Sequence, residues 1–292
     1  MNSDINEIFT RAFEKCEQIT KSHYENFPVG SVLIPKDKRK YVYAIYSFSR
    51  YADDIADSGE LDSVIKIVKL NSLDIELDKV ENKKLDDLEK ETAYMFLALY
   101  KTIEDLKIPV YELRNLLIAF MQDSVKDKYE TFDELIEYSK YSANPIGHLI
   151  LYVFGYSENK KLFELSDYIC TGLQLINFWQ DVARDLEINR VYIPNEVMKK
   201  FNYNYELLNN KVENENYIEL IRYLTVKTRD FIEKGKDLPK HVKGRLKYEL
   251  KATYNGGLTI LNKIEKLNYR TLSARPVITT SDKISILLKT IF

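Results

Sequence analysis

The stretch SFSRYADDIADSG, residues 47–59, places three aspartates within five positions of a segment that has the apolar spacing of a helix. Asp53 and Asp57 are four residues apart, so on a helix their carboxylates share one face and repel by roughly a few tenths of a kcal/mol. Arg50 falls on the same face at 100° per residue. A bound metal ion would turn this repulsion into attraction, and the stretch therefore indicates a metal-binding helix.

A second acidic stretch, QLINFWQDVARDLE (residues 174–187), repeats the spacing. On one continuous helix, Gln174, Asn177, Asp181 and Asp185 fall within an arc of roughly 80°. Two helices that each carry two carboxylates suit Mg²⁺, which keeps several waters and bridges to substrate phosphates. In a chain with 45 acidic residues a single pair could be a solvated surface. Two pairs, each ringed by apolar residues and joined by polar side chains, favour a site.

The composition predicts one all-α domain spanning residues 1–292, with about ten helices. Apolar residues recur at spacings of three and four along most of the 292 residues, and only nine glycines and seven prolines interrupt them. Breaks are expected at Pro35, Ser58-Gly59, Pro109 and Pro194. The 43 basic and 45 acidic side chains give a net charge of −2, so no basic excess indicates a nucleic-acid partner.

Several other kinds of site are disfavoured. None of His23, His148 and His241 follows a glutamate at the Glu-x-x-His spacing of a di-iron bundle, and the chain has no EF-hand loop and no glycine-rich phosphate loop. Cys16 and Cys170 form no disulfide framework. No apolar run approaches the roughly 20 residues of a membrane span, and no signal peptide is recognisable. We expect a cytoplasmic protein, with peripheral membrane contact as a hypothesis.

The two acidic stretches resemble those of the squalene/phytoene synthase family. So do ENFPVGSVLIP (25–35), YSKYSANPIGHLILYVFG (138–155) and LNYRTLSARP (267–276), in the same order. The resemblance implies an isoprenoid synthase fold with helices around a central apolar cavity, and a prenyl diphosphate substrate. It implies Mg²⁺ as cofactor, held by Asp53, Asp57, Asp181 and Asp185. It also implies diphosphate or substrate contacts from Arg50, Gln174, Asn177, Arg190 and Arg275, and catalytic side chains near the ionising carbon in Phe27 and Tyr138.

Within the family, the particular residues that this chain has in these motifs resemble the hydroxysqualene synthase branch. That branch takes presqualene diphosphate, expels diphosphate and lets water capture the cation, beside upstream and downstream enzymes of the squalene pathway. Gln180 stands where condensing members usually carry arginine, and Leu258 replaces a tyrosine that helps them bind diphosphate. The alternative is a condensing synthase that joins two prenyl diphosphates into presqualene diphosphate, squalene or phytoene. A non-catalytic assembly factor of the same fold is disfavoured because all four motif aspartates are present.

Overall fold

The structure, a computed structural model, describes residues 2–22, 34–157 and 159–291. Within these ranges the regular structure is helical, apart from one isolated bridge between Lys128 and Val191. The α-helices are α1 Asn2–Ser22, α2 Lys36–Asp57, α3 Ser63–Glu81, α4 Ala93–Leu106, α5 Tyr111–Asp123, α6 Phe132–Ser142, α7 Asn144–Val153, α8 Lys160–Gln180, α9 Val182–Glu187, α10 Asn195–Lys200, α11 Tyr205–Asn209, α12 Glu215–Glu233, α13 Gly244–Lys266 and α14 Thr280–Ile291.

The predicted all-α class is confirmed. The described ranges contain fourteen α-helices, and two 3₁₀ turns at Leu85–Asp87 and Leu238–Lys240. This number exceeds the expected ten or so because α9, α10 and α11 have only five or six residues. Such short helices make fewer than two turns, so they show no repeating apolar pattern.

The helices gather into two compact units. The first unit contains Met1–Val125 and Pro145–Lys160, and the second contains Lys126–Asn144 and Lys161–Phe292. The expectation of one domain over the whole length stays a prediction.

In the first unit, α2 packs against α1 and α4 along a stripe of small and aromatic residues. Ala44, Phe48 and Ala52 recur every four residues and are fully buried. The Phe48 ring meets Phe96 of α4 edge-on, with ring centroids 6.1 Å apart. At 100° per residue, Arg50, Asp53 and Asp57 fall on the opposite side of the helix, so packing of the stripe directs the acidic face away from this core.

In the second unit, α8 lies close against α12. A Cβ added at Gly172 would lie 2.6 Å from Ile232 Cβ, so only glycine allows this approach. Farther along α8, Trp179 is fully buried and donates its indole N–H to Thr228 Oγ1 at 2.8 Å. The polar tip of a large apolar side chain is thereby satisfied, and α8 is held in a fixed rotation against α12.

The predicted breaks coincide with helix boundaries. Helix α2 begins directly after Pro35 and ends directly before Ser58-Gly59. Helices α5 and α10 begin just after Pro109 and Pro194. In the part of the chain that the structure describes, no helix combines the length and apolarity needed to cross a bilayer.

Candidate active site

The acidic face of α2 brings one arginine, Arg50, close to two of its three aspartates. Arg50 lies 3.4 Å from Asp53 Oδ2 through Nη1, and its Nη2 lies 2.6 Å from Asp54 Oδ1. Burial and the neighbouring Asp57 carboxylate raise the pKa of Asp53 to about 7, against an opposing effect of Arg50. Because Asp53 retains a proton near neutral pH, this face is suited to a cation that would replace that proton.

Two features of this region were missing from the sequence prediction. Asp123, at the C-terminal end of α5, adds to the negative charge around Asp53 and contributes to its raised pKa. Arg50 Nε is buried and finds no acceptor among the described residues. A buried guanidinium N–H without an acceptor is costly in a folded protein, so this atom is suited to an anionic ligand.

The second acidic stretch is interrupted where one continuous helix was expected. Helix α8 ends at Gln180 and α9 begins at Val182, with Asp181 between them at φ −106° and ψ 14°. The Asp181 carbonyl is shared by two amide donors, Arg184 at 2.8 Å and Asp185 at 2.9 Å. Such sharing is typical of helix termini, and the prediction of one continuous helix through the stretch 174–187 is wrong at this residue.

The Asp181 carboxylate is already occupied by a guanidinium. Arg275 Nη2 donates to Asp181 Oδ2 at 3.1 Å, and Arg275 Nε donates to Asp181 Oδ1. Both side chains are about three-quarters buried, with 25% of Arg275 and 22% of Asp181 exposed. The hydrogen bond to Asp181 raises the pKa of Arg275 above its ordinary value. The sequence prediction named both residues but not this contact.

Asp185 and Arg190 are brought together by a tight turn. Asn189 adopts a left-handed conformation with φ 59°, which lets the Arg190 amide donate to the Asp185 carbonyl at 2.8 Å. The chain then continues into Val191, whose amide donates to the Asp127 carbonyl at 2.7 Å. Asp185 and Arg190 line one small cavity together with Phe178 and Tyr192.

Tyr138 belongs to a buried cluster of four aromatic rings in the second unit. The closest pair is Phe178 and Tyr192, stacked with centroids 3.9 Å apart. Tyr138 lies 6.0 Å from Phe178 and 5.9 Å from Tyr129, between ring centroids. All four rings are more than nine-tenths buried. Aromatic faces attract cations, so the cluster has the chemistry that a carbocation requires.

Comparison with known proteins places these features in a family. The model of the squalene/phytoene synthase family matches residues 20–282. The chain belongs to the squalene/phytoene synthase family. A hydroxysqualene synthase of Sinorhizobium fredii is 34% identical over 229 residues, covering 77% of this chain and 74% of the relative. A 15-cis-phytoene synthase of Synechocystis is 24% identical over 285 residues, covering 94% and 82%.

A solved structure shares the architecture. The crystal structure described as squalene synthase HpnC from Alicyclobacillus acidocaldarius matches with a TM-score of 0.82 and 30% identity, over 89% of this chain and 95% of that one. Membership of the family confirms the enzyme class predicted from the sequence, an isoprenoid synthase acting on a prenyl diphosphate.

The predicted site residues are distributed over both units. Arg50, Asp53 and Asp57 lie in the first unit, and the remaining described ones lie in the second. Gln174 is half-buried on α8, whereas Asn177 is exposed. Phe27 lies outside the described residues. The site assignments themselves stay predictions, because the contacts above show which residues meet and not what they bind.

The residues of the first motif fit Mg²⁺ that binds together with a phosphate ligand. Among residues 2–22, 34–157 and 159–291, no group of three or more His, Cys, Asp or Glu side chains forms a ready-made cage for a metal ion. Mg²⁺ does not require such a cage, since it is usually bound by one or two carboxylates, substrate phosphates and water. The Asp53 carboxylate, which holds a proton near neutral pH, could exchange that proton for Mg²⁺. The buried N–H of Arg50 could donate to an oxygen of the accompanying phosphate.

Proposed function

We propose that this enzyme converts presqualene diphosphate and water into hydroxysqualene and diphosphate. The observation that carries the proposal is the similarity to relatives named hydroxysqualene synthase, which reaches 34% identity over about three-quarters of the chain. The acidic face of α2 and the buried aromatic cluster support it, because the reaction separates a diphosphate anion from a carbocation.

The residues that would receive the leaving group are charged. Mg²⁺ would be held by Asp53 and Asp57 at the first motif and by Asp181 and Asp185 at the second, and at either motif it would supply a Lewis acid for the departing diphosphate. Arg50 has a buried Nε without a described acceptor and can donate to a phosphate oxygen. Arg190 and Arg275 add two further guanidinium groups: Arg190 lines the same small cavity as Asp185, and Arg275 donates to Asp181. Removal of one such donor typically lowers the rate by about 10²- to 10³-fold.

The aromatic cluster would stabilise the cation. When the carbon–oxygen bond to diphosphate breaks, the electron pair leaves with diphosphate and the carbon skeleton becomes cationic. Each ring of Tyr129, Tyr138, Phe178 and Tyr192 that faces this charge contributes about 0.5–2 kcal/mol. A water oxygen then forms the new carbon–oxygen bond, and the released diphosphate accepts the water proton.

A product assay tests the proposal. The purified enzyme is incubated with Mg²⁺ and presqualene diphosphate, or with Mg²⁺ and farnesyl diphosphate, and no NADPH is added. We expect hydroxysqualene from the first mixture and no product from the second, with no turnover by Asp181→Ala. A stable product from farnesyl diphosphate would overturn the assignment.

A condensing synthase is the second candidate. The 15-cis-phytoene synthase relative aligns over 94% of this chain, a longer span than the hydroxysqualene synthase relative, although at lower identity. The same assay separates the two candidates once a third mixture with geranylgeranyl diphosphate is included, because a condensing enzyme consumes farnesyl or geranylgeranyl diphosphate alone. Gln180 and Leu258, at the positions where condensing members usually carry arginine and tyrosine, favour the first candidate.

We also propose that the enzyme is cytoplasmic, works beside the enzymes that supply its substrate and consume its product, and contacts a membrane peripherally. Both substrate and product carry long apolar chains. In support, α14 exposes an apolar stripe in which Ile284, Leu287, Leu288 and Ile291 are each more than half exposed. Liposome flotation tests the contact: we expect the enzyme to float, and Leu287→Ser/Leu288→Ser to remain in the dense fraction. A wild-type enzyme that does not float would contradict membrane contact.

A further inference from the structure

Two neighbouring residues at the α8–α9 junction bind two neighbouring residues of the segment between α13 and α14. Gln180 is buried, with 7% exposed, and its Nε2 donates to the Pro276 carbonyl oxygen at 2.7 Å. The adjacent Asp181 accepts both hydrogen bonds from Arg275. The segment is therefore attached to the α8–α9 junction at two consecutive residues, through the guanidinium of Arg275 and the backbone carbonyl of Pro276.

We propose that Gln180 is a positioning residue that holds Arg275 on Asp181, so that Arg275 competes with the metal ion for this carboxylate until diphosphate offers Arg275 another acceptor. The inference rests on the proposed function, since it takes a metal ion and a diphosphate as the ligands of the second motif. It assigns Gln180 a role in coupling the two ligands rather than direct contact with either.

The geometry explains the competition. A two-point guanidinium–carboxylate pair engages both oxygens of Asp181 with directional, charge-assisted hydrogen bonds. A divalent cation at the same carboxylate meets the positive charge of Arg275 at short range, in a partly buried place where charges are weakly screened. Diphosphate carries several anionic oxygens that suit the planar fork of arginine. Its arrival would release Asp181, so metal and diphosphate would bind cooperatively, and the coupling is necessarily reciprocal.

The Pro276 carbonyl explains why Gln180 matters. Gln180 Nε2 fixes the backbone next to Arg275, which limits the positions that the Arg275 side chain can reach. A side chain of similar length without an N–H donor would leave this backbone unanchored. Arg275 would then spend less time on Asp181, and the carboxylate would be more accessible to a cation.

The test measures metal affinity in the full-length protein, with Mn²⁺ as the probe and electron paramagnetic resonance as the readout. Without diphosphate, we expect Arg275→Gln to bind Mn²⁺ more tightly than wild type, by about 5-fold or more. Gln180→Met should shift the affinity in the same direction by a smaller factor. The double variant should match Arg275→Gln alone, because Gln180 acts through Arg275.

Inorganic diphosphate should reverse the effect of these substitutions on Mn²⁺ affinity. With diphosphate present and free Mn²⁺ held constant, both single variants should bind Mn²⁺ more weakly than wild type, because Arg275 now assists the bound anion. Arg270→Gln is the matched control: this arginine lies on the same segment but donates to the Glu213 carbonyl at 3.1 Å. It should leave Mn²⁺ affinity unchanged under both conditions.

The outcomes are separable. Wild-type protein that binds no Mn²⁺ even with diphosphate would refute the proposed function. Wild-type protein that binds Mn²⁺, with variants that leave the affinity unchanged or weaken it without diphosphate, would refute only the role of Gln180 and Arg275. Additive effects in the double variant would also refute it. Should Gln180→Met fail to fold, Gln180→Asn takes its place, since it keeps the amide but is one methylene shorter and cannot reach the Pro276 carbonyl, and it should tighten Mn²⁺ binding by less than Arg275→Gln.

Discussion

Replacing Asp53 by asparagine should stabilise the metal-free enzyme at alkaline pH while abolishing its activity. Burial and the Asp57 carboxylate raise the pKa of Asp53 to about 7 from an ordinary value of 3.8. Above pH 7 the folded protein therefore holds a charge that its surroundings disfavour, whereas the unfolded chain holds the same charge in water. Asparagine keeps the shape of the neutral acid and removes this cost.

The pH dependence follows from the direction of the shift. Well below pH 3.8 the carboxyl is protonated in both states, so it costs little. As pH rises to 7, the unfolded chain loses the proton first and stability falls; above pH 7 the full cost remains. Each unit of pKa shift corresponds to about 1.4 kcal/mol, but the Asp53 side chain is 38% exposed, so screening by solvent reduces the expected gain of Asp53→Asn to about 1–2 kcal/mol.

Thermal unfolding followed by circular dichroism in EDTA measures this effect. For a chain of this size the gain corresponds to an increase in Tm of about 2–8 °C at pH 8, and less than half of that at pH 5. Asp54→Asn is the matched control, because Asp54 is half-exposed and pairs with Arg50 at 2.6 Å. Asp54→Asn should not raise the Tm at either pH. A Tm that falls in Asp53→Asn at pH 8, or rises equally at both pH values, would refute the reasoning.

Three further predictions concern packing, reactivity and the cation. Gly172→Ala should lower stability by about 1–3 kcal/mol in chemical denaturation, since its Cβ would meet Ile232 at 2.6 Å, whereas Gly59→Ala, with open space around it, should not. Cys16 is fully buried and burial raises its pKa to about 11, so it should resist alkylation at pH 8 in the native enzyme and react in urea. Tyr138→Leu should lower the single-turnover rate by about 2- to 30-fold, the value of one aromatic face, and Tyr138→Phe should lower it less.

The parts of the fold that follow from local rules were predictable. Helix α2 has both a buried stripe, Ala44-Phe48-Ala52, and boundaries at Pro35 and Ser58-Gly59, so its periodicity and its ends agree. The break at Asp181 was not predictable in the same way, because QLINFWQDVARDLE keeps its helical spacing across it. Hydrogen bonding at the Asp181 carbonyl and a partner far along the chain define that break, and neither is visible in a periodic pattern.

The same distinction applies to the site. The helical spacing of 100° per residue puts Arg50 and Asp53 on one face, and in the structure Arg50 Nη1 lies 3.4 Å from Asp53 Oδ2. The contacts of Asp181 with Arg275, and the stacking of Phe178 on Tyr192, join residues of different helices and loops. Spacing within a helix carries no information on such pairs. The family resemblance named Asp181 and Arg275 as site residues but could not assign them to each other.

The two acidic motifs have the same spacing but different electrostatic states. At the first, one arginine is shared between Asp53 and Asp54, and the remaining charge is relieved by a proton on Asp53 near neutral pH. At the second, Asp181 accepts hydrogen bonds from the guanidinium of Arg275. In the absence of diphosphate, a metal ion should bind more tightly at the first motif, where it replaces a weakly held proton, than at the second, where it must compete with Arg275. The order in which the motifs acquire metal should therefore depend on Arg50 and Arg275, and not on the four-residue spacing that the motifs share.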